Sequence, residues 1–360
     1  MSVLDRYITR EFFKIFLLII LSLVGLYLIV DFFERIRMFL SNHATFYQIL
    51  SYFFFEIPMI LSLMLPVSVL LSSLLTFSIL SKNSEIIAMK ANGISLYRTS
   101  LPVIIISIIV CIFSFFLNEF ITPYTNQQAK EIKLIKVQKR QKLGSFKKNQ
   151  IWFRSKKGIY NFNTFDPKTC TLRGIKINYL DHDMNLKKMI VAKTAKWKNG
   201  KWIFYNLIII QFPSGELPIL KRVRSEVINL PEKPSDFMIV QKDTEEMGYF
   251  ELRGFVKNLQ SEGYDVTRYI TDMYGKIAFI MISAILGIIG VSFSLLRSER
   301  SGGISQSVAM GIVIGFSYWV VFGFSISLGR SGTLPPLLSA WMANIILGAV
   351  AIFMFSRVKT

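Results

Sequence analysis

Residues 81–95 read SKNSEIIAMKANGIS, a short polar interruption between two strongly apolar segments. The stretch predicts a helix of its own. Ser81 and Ser84 are good N-cap residues, and Glu85 would lie in the first turn, where the helix dipole favours a carboxylate. Gly93 can adopt the left-handed conformation that ends a helix. The interruption is therefore predicted to be a capped helix.

This short helix is predicted to be amphipathic. Ile86 and Met89 are three residues apart and would share one apolar stripe, while Lys82 and Glu85 face elsewhere. A helix of this length is marginal alone and needs a surface to pack on. Two interpretations follow from the local sequence: a capped connector between two membrane spans, or a knob that fits a socket on a cytosolic partner.

The composition indicates a membrane protein. The 360 residues are 52% hydrophobic with a mean hydropathy of +0.44, which exceeds the roughly 45–50% apolar share of soluble domains. Two cysteines, Cys111 and Cys170, are too few for a disulfide framework. The first apolar run has no small-residue cleavage site, so it is expected to remain as an anchor.

Positive charge is concentrated in one polar block. The formal net charge is +19, and residues 121–268 alone contain 28 Lys and Arg against 14 Asp and Glu. Such a block is compatible with nucleic acid or with anionic lipid as a partner.

Six apolar segments approach the roughly 20 residues needed to cross a bilayer. They are residues 15–30, 58–80, 101–117, 277–296, 308–328 and 337–355. Residues 4–14 are expected to form an amphipathic, interfacial lead-in to the first span. Pro58 is expected to separate an interfacial helix from the second span, which Pro66 would kink.

The segment between the third and fourth spans changes from helical to β periodicity. Short strand-like runs bounded by turn residues occur at residues 151–154, 158–162, 174–179, 207–212 and 222–230. The clearest hairpin has Asn199-Gly200 as its type I′ turn, which would place Trp197 opposite Trp202. Helical spacing flanks the strands on both sides. These patterns predict an inserted β-domain of about 100 residues.

Basic residues in the short loops predict the orientation. One side of the membrane would carry Arg6, Arg10, Lys14, Lys82, Lys90, Arg98, Arg297, Arg300, Arg357 and Lys359, and the other only Arg35, Arg37 and Arg330. The positive-inside rule then places both termini and the 81–95 helix in the cytoplasm. The β-domain would face the opposite compartment, since long domains translocate largely regardless of charge.

The chain shows little sign of catalysis. It has no Gly-x4-Gly-Lys-Ser/Thr phosphate loop, no His-Glu-x-x-His motif, and only two histidines, His43 and His182. Asp181 and Asp183 beside His182 fit a polar turn better than acid–base chemistry. The absence of a close Cys/His set argues against a metal site. The chain is predicted not to be an enzyme, so energy for any work must come from a partner.

Three arginines at one level of the membrane would suit an amphiphilic cargo. Arg35 and Arg37 follow the first span, and Arg330 lies between the last two. Guanidinium groups there can bind phosphate or carboxylate headgroups. Interfacial snorkelling explains the same positions equally well.

The fifth span combines small and bulky residues. Gly311 and Gly315 permit close helix approach, and Phe316, Trp319 and Phe322 would form a bulky apolar wall. A lateral gate for lipid and ordinary packing within a helix bundle both fit this pattern.

Four features together resemble the permease subunits of the lipopolysaccharide-export ABC transporter, the LptF/LptG family. They are the LDRYI opening at residues 4–8, the SEIIAMKANG helix at 84–93, the β-insert after three spans, and LPPLLSAWMAN at 334–344. The similarity covers the whole chain. Within the family, the opening and YFELRGFVKNL at residues 249–259 look more like the LptG branch than the LptF branch.

The resemblance implies a fold and a set of partners. The fold would be an α-helical membrane protein with six transmembrane helices and an inserted all-β, jellyroll-like periplasmic domain. Residues 1–123 would hold three spans and a coupling helix at 82–94, residues 124–262 the β-domain with flanking helices, and residues 263–360 the last three spans. The partners would be an LptF-like sister permease, a dimeric LptB-like ATPase and an LptC-like periplasmic protein. The cargo would be lipopolysaccharide, and the location the bacterial inner membrane.

The resemblance also assigns roles to residues. The ATPase-coupling helix would include Ser84, Glu85, Ile86, Ala88, Met89, Asn92 and Gly93. With the arginine and aromatic positions above, lipid-substrate binding is expected at Arg35, Arg37, Arg330, Phe316, Trp319 and Phe322. Arg37 matches a basic lipid-binding position of the family, whereas Asp31 stands where relatives often have a basic residue. This chain would bind no cofactor, since ATP and Mg²⁺ would bind the partner ATPase.

Two other functions stay open at this point. The β-domain could be a binding or assembly module that six helices merely anchor, or the chain could be a permease for another lipid or lipoprotein. Lipoprotein releasers usually place four spans around an insert that follows the first. Co-purification of a nucleotide-binding subunit would separate a transporter half from an anchor.

Overall fold

The structure, a computed structural model, describes most of the chain. The described residues are 3–138, 144–147, 150–155, 158–166, 169–180, 186–198, 200–213, 217–230, 234, 243–261, 265–297 and 304–358. They fall into two compact units. Unit 1 comprises Met1–Ile132, Thr244–Val256 and Tyr264–Thr360, and unit 2 comprises Lys133–Asp243 and Lys257–Gly263.

Helices dominate unit 1. In chain order the described α-helices are α1 (Val3–Ser41), α2 (Phe46–Lys82), α3 (Glu85–Ala91), α4 (Leu96–Phe116), α5 (Thr122–Glu131), α6 (Tyr249–Ser261), α7 (Thr267–Arg297), α8 (Ile304–Arg330) and α9 (Pro336–Ser356). A π-helical turn at Leu117–Ile121 joins α4 to α5. A second at Ile132–Val137 belongs mainly to unit 2, as does the end of α6 from Lys257 onward. Six helical segments are long and apolar enough to cross a membrane: α1, α2, α4 with its extension, α7, α8 and α9. The six predicted spans are therefore present.

The first two spans are longer than the sequence suggested. α1 runs without a break from Val3, so the expected amphipathic lead-in at residues 4–14 is part of the same helix as the first span. α2 continues through both Pro58 and Pro66, so the predicted break before Pro58 is wrong. A break in the helix would expose unpaired backbone N–H and C=O groups to lipid hydrocarbon. A proline inside a membrane helix is tolerated where neighbouring groups satisfy the backbone groups that it leaves unpaired.

The start of α2 has a cap that the sequence pattern did not reveal. Thr45 Oγ1 accepts a hydrogen bond from the Gln48 amide at 3.4 Å, and Gln48 Oε1 accepts one from the Thr45 amide at 3.0 Å. This reciprocal pair is a capping box. It fixes the beginning of α2 directly after the turn that ends α1.

Glycines let the spans of unit 1 approach closely. A Cβ atom added at Gly290 of α7 would lie 2.7 Å from Ser73 Cβ and 2.8 Å from the Leu70 carbonyl oxygen, both in α2. A Cβ at Gly311 of α8 would lie 2.5 Å from Leu71 Cδ2, and Gly315 also faces α2. The predicted close approach is thus confirmed at Gly311, whereas a Cβ at Gly315 would make ordinary contact with Val67 at 3.6 Å.

Unit 2 contains an antiparallel sheet of eight strands. They are β1 (Gly144–Lys147), β2 (Gln150–Ser155), β3 (Gly158–Phe162), β4 (Thr164–Asp166), β5 (Thr171–Leu180), β6 (Leu186–Lys198), β7 (Lys201–Gln211) and β8 (Ile219–Ile228). The order across the sheet is β1-β2-β3-β5-β6-β7-β8, and β4 pairs with β5. Most neighbours in the sheet are consecutive along the chain, as in a series of hairpins, but β3 and β4 do not pair with each other and both pair with β5.

The predicted tryptophan hairpin is confirmed. Trp197 in β6 pairs with Trp202 in β7, and their ring centroids are 5.1 Å apart. Gly200 has φ +77° in the turn, a conformation that glycine adopts readily. Asn199, the other turn residue, lies outside the described residues, as do Asp181, His182 and Asp183.

One face of the sheet forms the core of unit 2. Along β5, β6 and β7 the buried residues alternate with more exposed ones, as a strand with one covered face requires. They include Ile175, Ile177, Ile190, Ala192, Trp202 and Phe204. β8, in contrast, is exposed or half-exposed along its length. The fold class predicted from sequence, six transmembrane helices with an inserted all-β, jellyroll-like domain, is confirmed.

Candidate coupling site and lipid-binding sites

The short helix α3 begins without the predicted side-chain cap. Ser84 has φ +61°, in the left-handed region, and its side chain makes no capping hydrogen bond. A serine that caps a helix needs an extended backbone. The tight link between α2 and α3 instead holds the Ser84 backbone in the left-handed region. The Asn83 side-chain amide instead donates to Glu85 Oε1 at 3.3 Å.

The end of α3 is as predicted. Gly93 has φ +72°. The amides of Gly93 and Ile94 donate to the carbonyls of Lys90 and Met89 at 2.9 and 3.0 Å. These two bonds define a Schellman motif, which satisfies carbonyl groups that would otherwise be unpaired at the helix end.

The two faces of α3 differ sharply. Ile86 is 2% exposed and Met89 9% exposed, which confirms the predicted apolar stripe. Ile86 belongs to the same buried cluster as residues of α1, α2, α4 and α7. On the outer side Ile87 is 61% exposed, and Ala88 and Ala91 are exposed too. α3 is thus anchored in the bundle by one face and presents a small apolar face outward.

The same end of unit 1 is tied together by polar contacts. Arg98 at the start of α4 lies 3.2 Å from Asp5 of α1. The Tyr97 hydroxyl donates to the Val358 carbonyl at 3.3 Å, and the Tyr97 ring packs on Phe355 at 4.9 Å. A displacement of α4, which directly follows α3, would therefore disturb the contacts with Asp5 and Val358, near the two ends of the described chain.

Arg35, predicted to bind a headgroup, is held by three side chains of this protein. Its Nε donates to Asp31 Oδ1 at 2.7 Å, and an Nη atom lies 3.4 Å from Glu56 Oε1. Arg35 also bonds the Tyr52 hydroxyl, which donates to Glu56. Asp31 is only 4% exposed. One guanidinium therefore joins two carboxylates and links α1 to α2.

Arg37 has a different environment. It is exposed, and the described residues offer it no hydrogen bond or ion pair within 4.0 Å. It lies on the same helix as Arg35, two residues further along. Of the three arginines predicted to bind headgroups, Arg37 is the one whose guanidinium forms no ion pair with a carboxylate of the described residues.

The aromatic residues of α8 face different directions. Phe316 is 70% exposed, at the surface of the bundle. Trp319 and Phe322 both contact Phe279 of α7, with ring centroids 5.7 and 5.8 Å apart. The predicted aromatic wall therefore divides into the outward Phe316 and two residues that pack on α7, of which Trp319 is still 36% exposed.

Arg330, the third predicted arginine, is paired with a buried carboxylate. Its Nε donates to Asp272 Oδ1 at 2.6 Å, and Thr244 Oγ1 donates to Asp272 Oδ2 at 2.9 Å. Asp272 is 7% exposed. The pair lines a cavity of about 220 Å³ that is bordered by α2, α5, α7, α8, the π-helical turn Leu117–Ile121 and the short turn Thr244–Glu246. Its lining is Met59, Ser62, Leu63, Asn118, Thr122, Asn126, Thr244, Glu245, Asp272, Gly275, Lys276, Phe279, Trp319, Phe322, Ile326 and Arg330.

Two residues of this region have roles that sequence patterns did not reveal. Lys276 lines the cavity, although from sequence it was a boundary residue able to snorkel. Glu119 caps α6, because its carboxylate accepts the amides of Tyr249 and Phe250 at 2.5 and 3.1 Å. The partners are 130 and 131 positions away along the chain, so no local signal could identify them.

Six apolar helices, a short helix packed between the second and third of them and an inserted sheet domain define a multi-pass membrane protein of the permease class. Residues 6–357 match the family described as "Lipopolysaccharide export system permease LptF/LptG". The chain belongs to this family, whose members are transporter permease subunits rather than catalytic enzymes.

Individual relatives agree with the family match. The lipopolysaccharide export system permease protein LptG of Escherichia coli strain K12 is 23% identical over 369 residues, covering 99% of this chain and 98% of that protein. LptG of Haemophilus influenzae strain Rd is 23% identical over 322 residues, covering 89% of this chain and 88% of that protein. The predicted likeness to LptG is confirmed, and the chain is a multi-pass inner-membrane protein.

Proposed function

We propose that this chain is one half of a transporter that extracts lipopolysaccharide from the outer leaflet of the inner membrane and passes it to a periplasmic bridge. Its partners in this proposal are an LptF-like sister permease, a dimeric LptB-like ATPase and an LptC-like periplasmic protein. The family match over residues 6–357 supports the cargo. The carrying observation is α3, which is anchored by Ile86 and Met89 and exposes Ala88 on its other face.

The anchored helix suits the transfer of force from an ATPase. A partner that binds the exposed Ile87 and Ala88 would move α3, and the buried Ile86 and Met89 would pass that motion to the spans because packed cores are not continuously deformable. Ile86 and Met89 would thus serve coupling by holding the helix, and Glu85, Ala88 and Asn92 by contacting the ATPase. ATP and Mg²⁺ would bind that partner.

The proposal requires α3 and the β-domain to face opposite compartments. In a protein with Cys111 and Cys170 replaced, a cysteine at exposed Lys196 should react with a membrane-impermeant maleimide in cells whose outer membrane is permeabilised. A cysteine at exposed Asn92 should react only after the inner membrane is opened as well. The cysteine-free protein controls for background. Equal labelling of both positions in intact inner membranes would contradict the proposed topology and the mechanism built on it.

The outer end of α1 is the proposed entry point for headgroups. Arg37 is exposed and unneutralised there, so its guanidinium can form charge-assisted hydrogen bonds with phosphate. Arg35 and Arg330 already bond carboxylates of this chain, so any headgroup contact they make would compete with those pairs. The outward Phe316 of α8 offers apolar surface for acyl chains.

Arg37→Glu should weaken lipopolysaccharide binding about tenfold or more, because a hydrogen bond to a charged group contributes roughly 1.5–3 kcal/mol and the new carboxylate repels phosphate. Assembly of the complex and its basal ATPase should be unchanged, since Arg37 has no described intramolecular partner. The measurement is cross-linking to lipopolysaccharide, together with ATP-driven release from reconstituted vesicles.

Two variants control for this experiment. Arg37→Lys keeps the charge and should retain most of the binding, with some loss of bidentate geometry. Arg10→Glu makes the same charge reversal at the other end of α1 and should bind lipopolysaccharide as the wild type does. Wild-type binding by Arg37→Glu would remove Arg37 from the proposed path.

A further inference from the structure

The cavity beside Arg330 has a polar end and an apolar end. Asp272, Lys276 and Phe279 follow one another along α7 at intervals of one turn, which is about 5.4 Å. Phe279 packs against Trp319 and Phe322, and these three rings line the apolar end. The wall of the cavity is therefore charged at one end and apolar at the other, in the same order as the headgroup and the acyl chains of a lipid.

Two polar groups of the cavity have unused hydrogen-bonding capacity. Lys276 is half-buried and makes no hydrogen bond, and no ion pair within 4.0 Å, with the described residues. Thr122 is 6% exposed, and its hydroxyl has no partner among the described residues. Buried polar groups without partners cost free energy, and a bound ligand or water can remove that cost.

The charges of the cavity are ordered by depth. Lys276 adjoins the apolar run of α7, and Asp272 lies one turn further out, already bonded to Arg330 and Thr244. Glu245 is exposed and lines the cavity, and it interacts electrostatically with Lys276, although less strongly than Asp272 does. An ammonium group without a described hydrogen bond or close ion pair thus lies next to the apolar run, and an exposed carboxylate lies nearer the charged end of the cavity.

We infer that this cavity binds the headgroup of a zwitterionic phospholipid, with its phosphate at Lys276 and its ammonium group at Glu245. In such a lipid the phosphate is closer to the acyl chains and the ammonium is further out, which is the order of the two complementary charges in the wall. A volume of about 220 Å³ is below the range of roughly 300–1,000 Å³ for whole drug-sized ligands, so it suits a headgroup whose chains remain outside. The exposed Trp319 borders that exit. This inference concerns a lipid other than the transported one and does not require export to occur.

The test measures lipid retained by the full chain, purified in mild detergent with the subunits that accompany it. After delipidation the sample is incubated separately with phosphatidylethanolamine, phosphatidylglycerol and lipopolysaccharide, and bound lipid is counted by native mass spectrometry. The wild type should retain phosphatidylethanolamine in preference to phosphatidylglycerol. Lys276→Met should lower that retention about tenfold or more. Because it breaks no described ion pair, it should leave the fold intact.

Three further variants make the assignment specific. Lys276→Arg should restore most of the retention, and Glu245→Gln should reduce phosphatidylethanolamine to the level of phosphatidylglycerol. Arg268→Gln removes an exposed positive charge two turns earlier on α7 and should behave as the wild type. Wild-type retention by Lys276→Met, equal retention of the two phospholipids by the wild type, or loss of lipopolysaccharide alone would overturn the inference. The Arg37→Glu result is independent of all of these, so the two proposals can fail separately.

Discussion

Arg35→Met should destabilise the protein by about 3 kcal/mol or more, because removal of one partner from a buried ionic network leaves uncompensated charge. Asp31 and Glu56 would then face each other without a cation, and one oxygen of each already lacks a hydrogen-bond partner among the described residues. The link between α1 and α2 would be lost as well. The measurement is the apparent Tm of the detergent-purified complex.

The same helix provides the control for this result. Arg37→Met removes an equal charge from an exposed position and should change stability by no more than about 0.5 kcal/mol. Combining Arg35→Met with Asp31→Asn and Glu56→Gln removes the unpaired charges and should recover most of the lost stability. If the Tm of Arg35→Met equalled that of the wild type, as that of Arg37→Met is expected to do, the network would not stabilise the protein as the geometry indicates.

Ala88→Arg should abolish the stimulation of the partner's ATPase by lipid and reduce export at least tenfold, if α3 is the proposed coupling helix. The arginine would project from the outer face of α3, where the proposal places the ATPase. Arginine forms helices nearly as well as alanine, so the local structure should persist. The measurements are lipid-stimulated ATPase activity and ATP-driven lipopolysaccharide release.

The control for coupling keeps the side chain small. Ala88→Ser should remain active, since it leaves the outer face of α3 nearly unchanged. Membrane insertion and stability of Ala88→Arg should match the wild type, because Ala88 is exposed in this chain. Normal stimulation and export by Ala88→Arg would mean that the ATPase does not engage this face of α3.

Local patterns predicted the elements of this protein well. The tryptophan hairpin followed from alternating residues around Asn199-Gly200, and the apolar stripe of α3 followed from the spacing of Ile86 and Met89. Both depend on interactions within a few residues. The predictions that failed involved local rules that the surroundings override: a helix break before Pro58, and a side-chain cap at Ser84.

The candidate sites were only partly predictable for the same reason. Arg35, Arg37 and Arg330 look alike in the sequence, since each is a basic residue near the end of a span. The structure distinguishes them: two are bonded to carboxylates, and Arg37 is not. Lys276 gave no sequence signal beyond its place at a span boundary, because a cavity exists only after several helices have packed together.

The sequence by itself determined six membrane crossings, an inserted sheet domain and a short amphipathic helix between the second and third crossings, because hydropathy and side-chain period are properties of contiguous residues. Only the tertiary structure decided which charges are neutralised and which remain free to bind a ligand. Arg330 and its partner Asp272 are 58 positions apart, and their pairing depends on how α7 and α8 pack in an apolar medium, where an unpaired charge is costly.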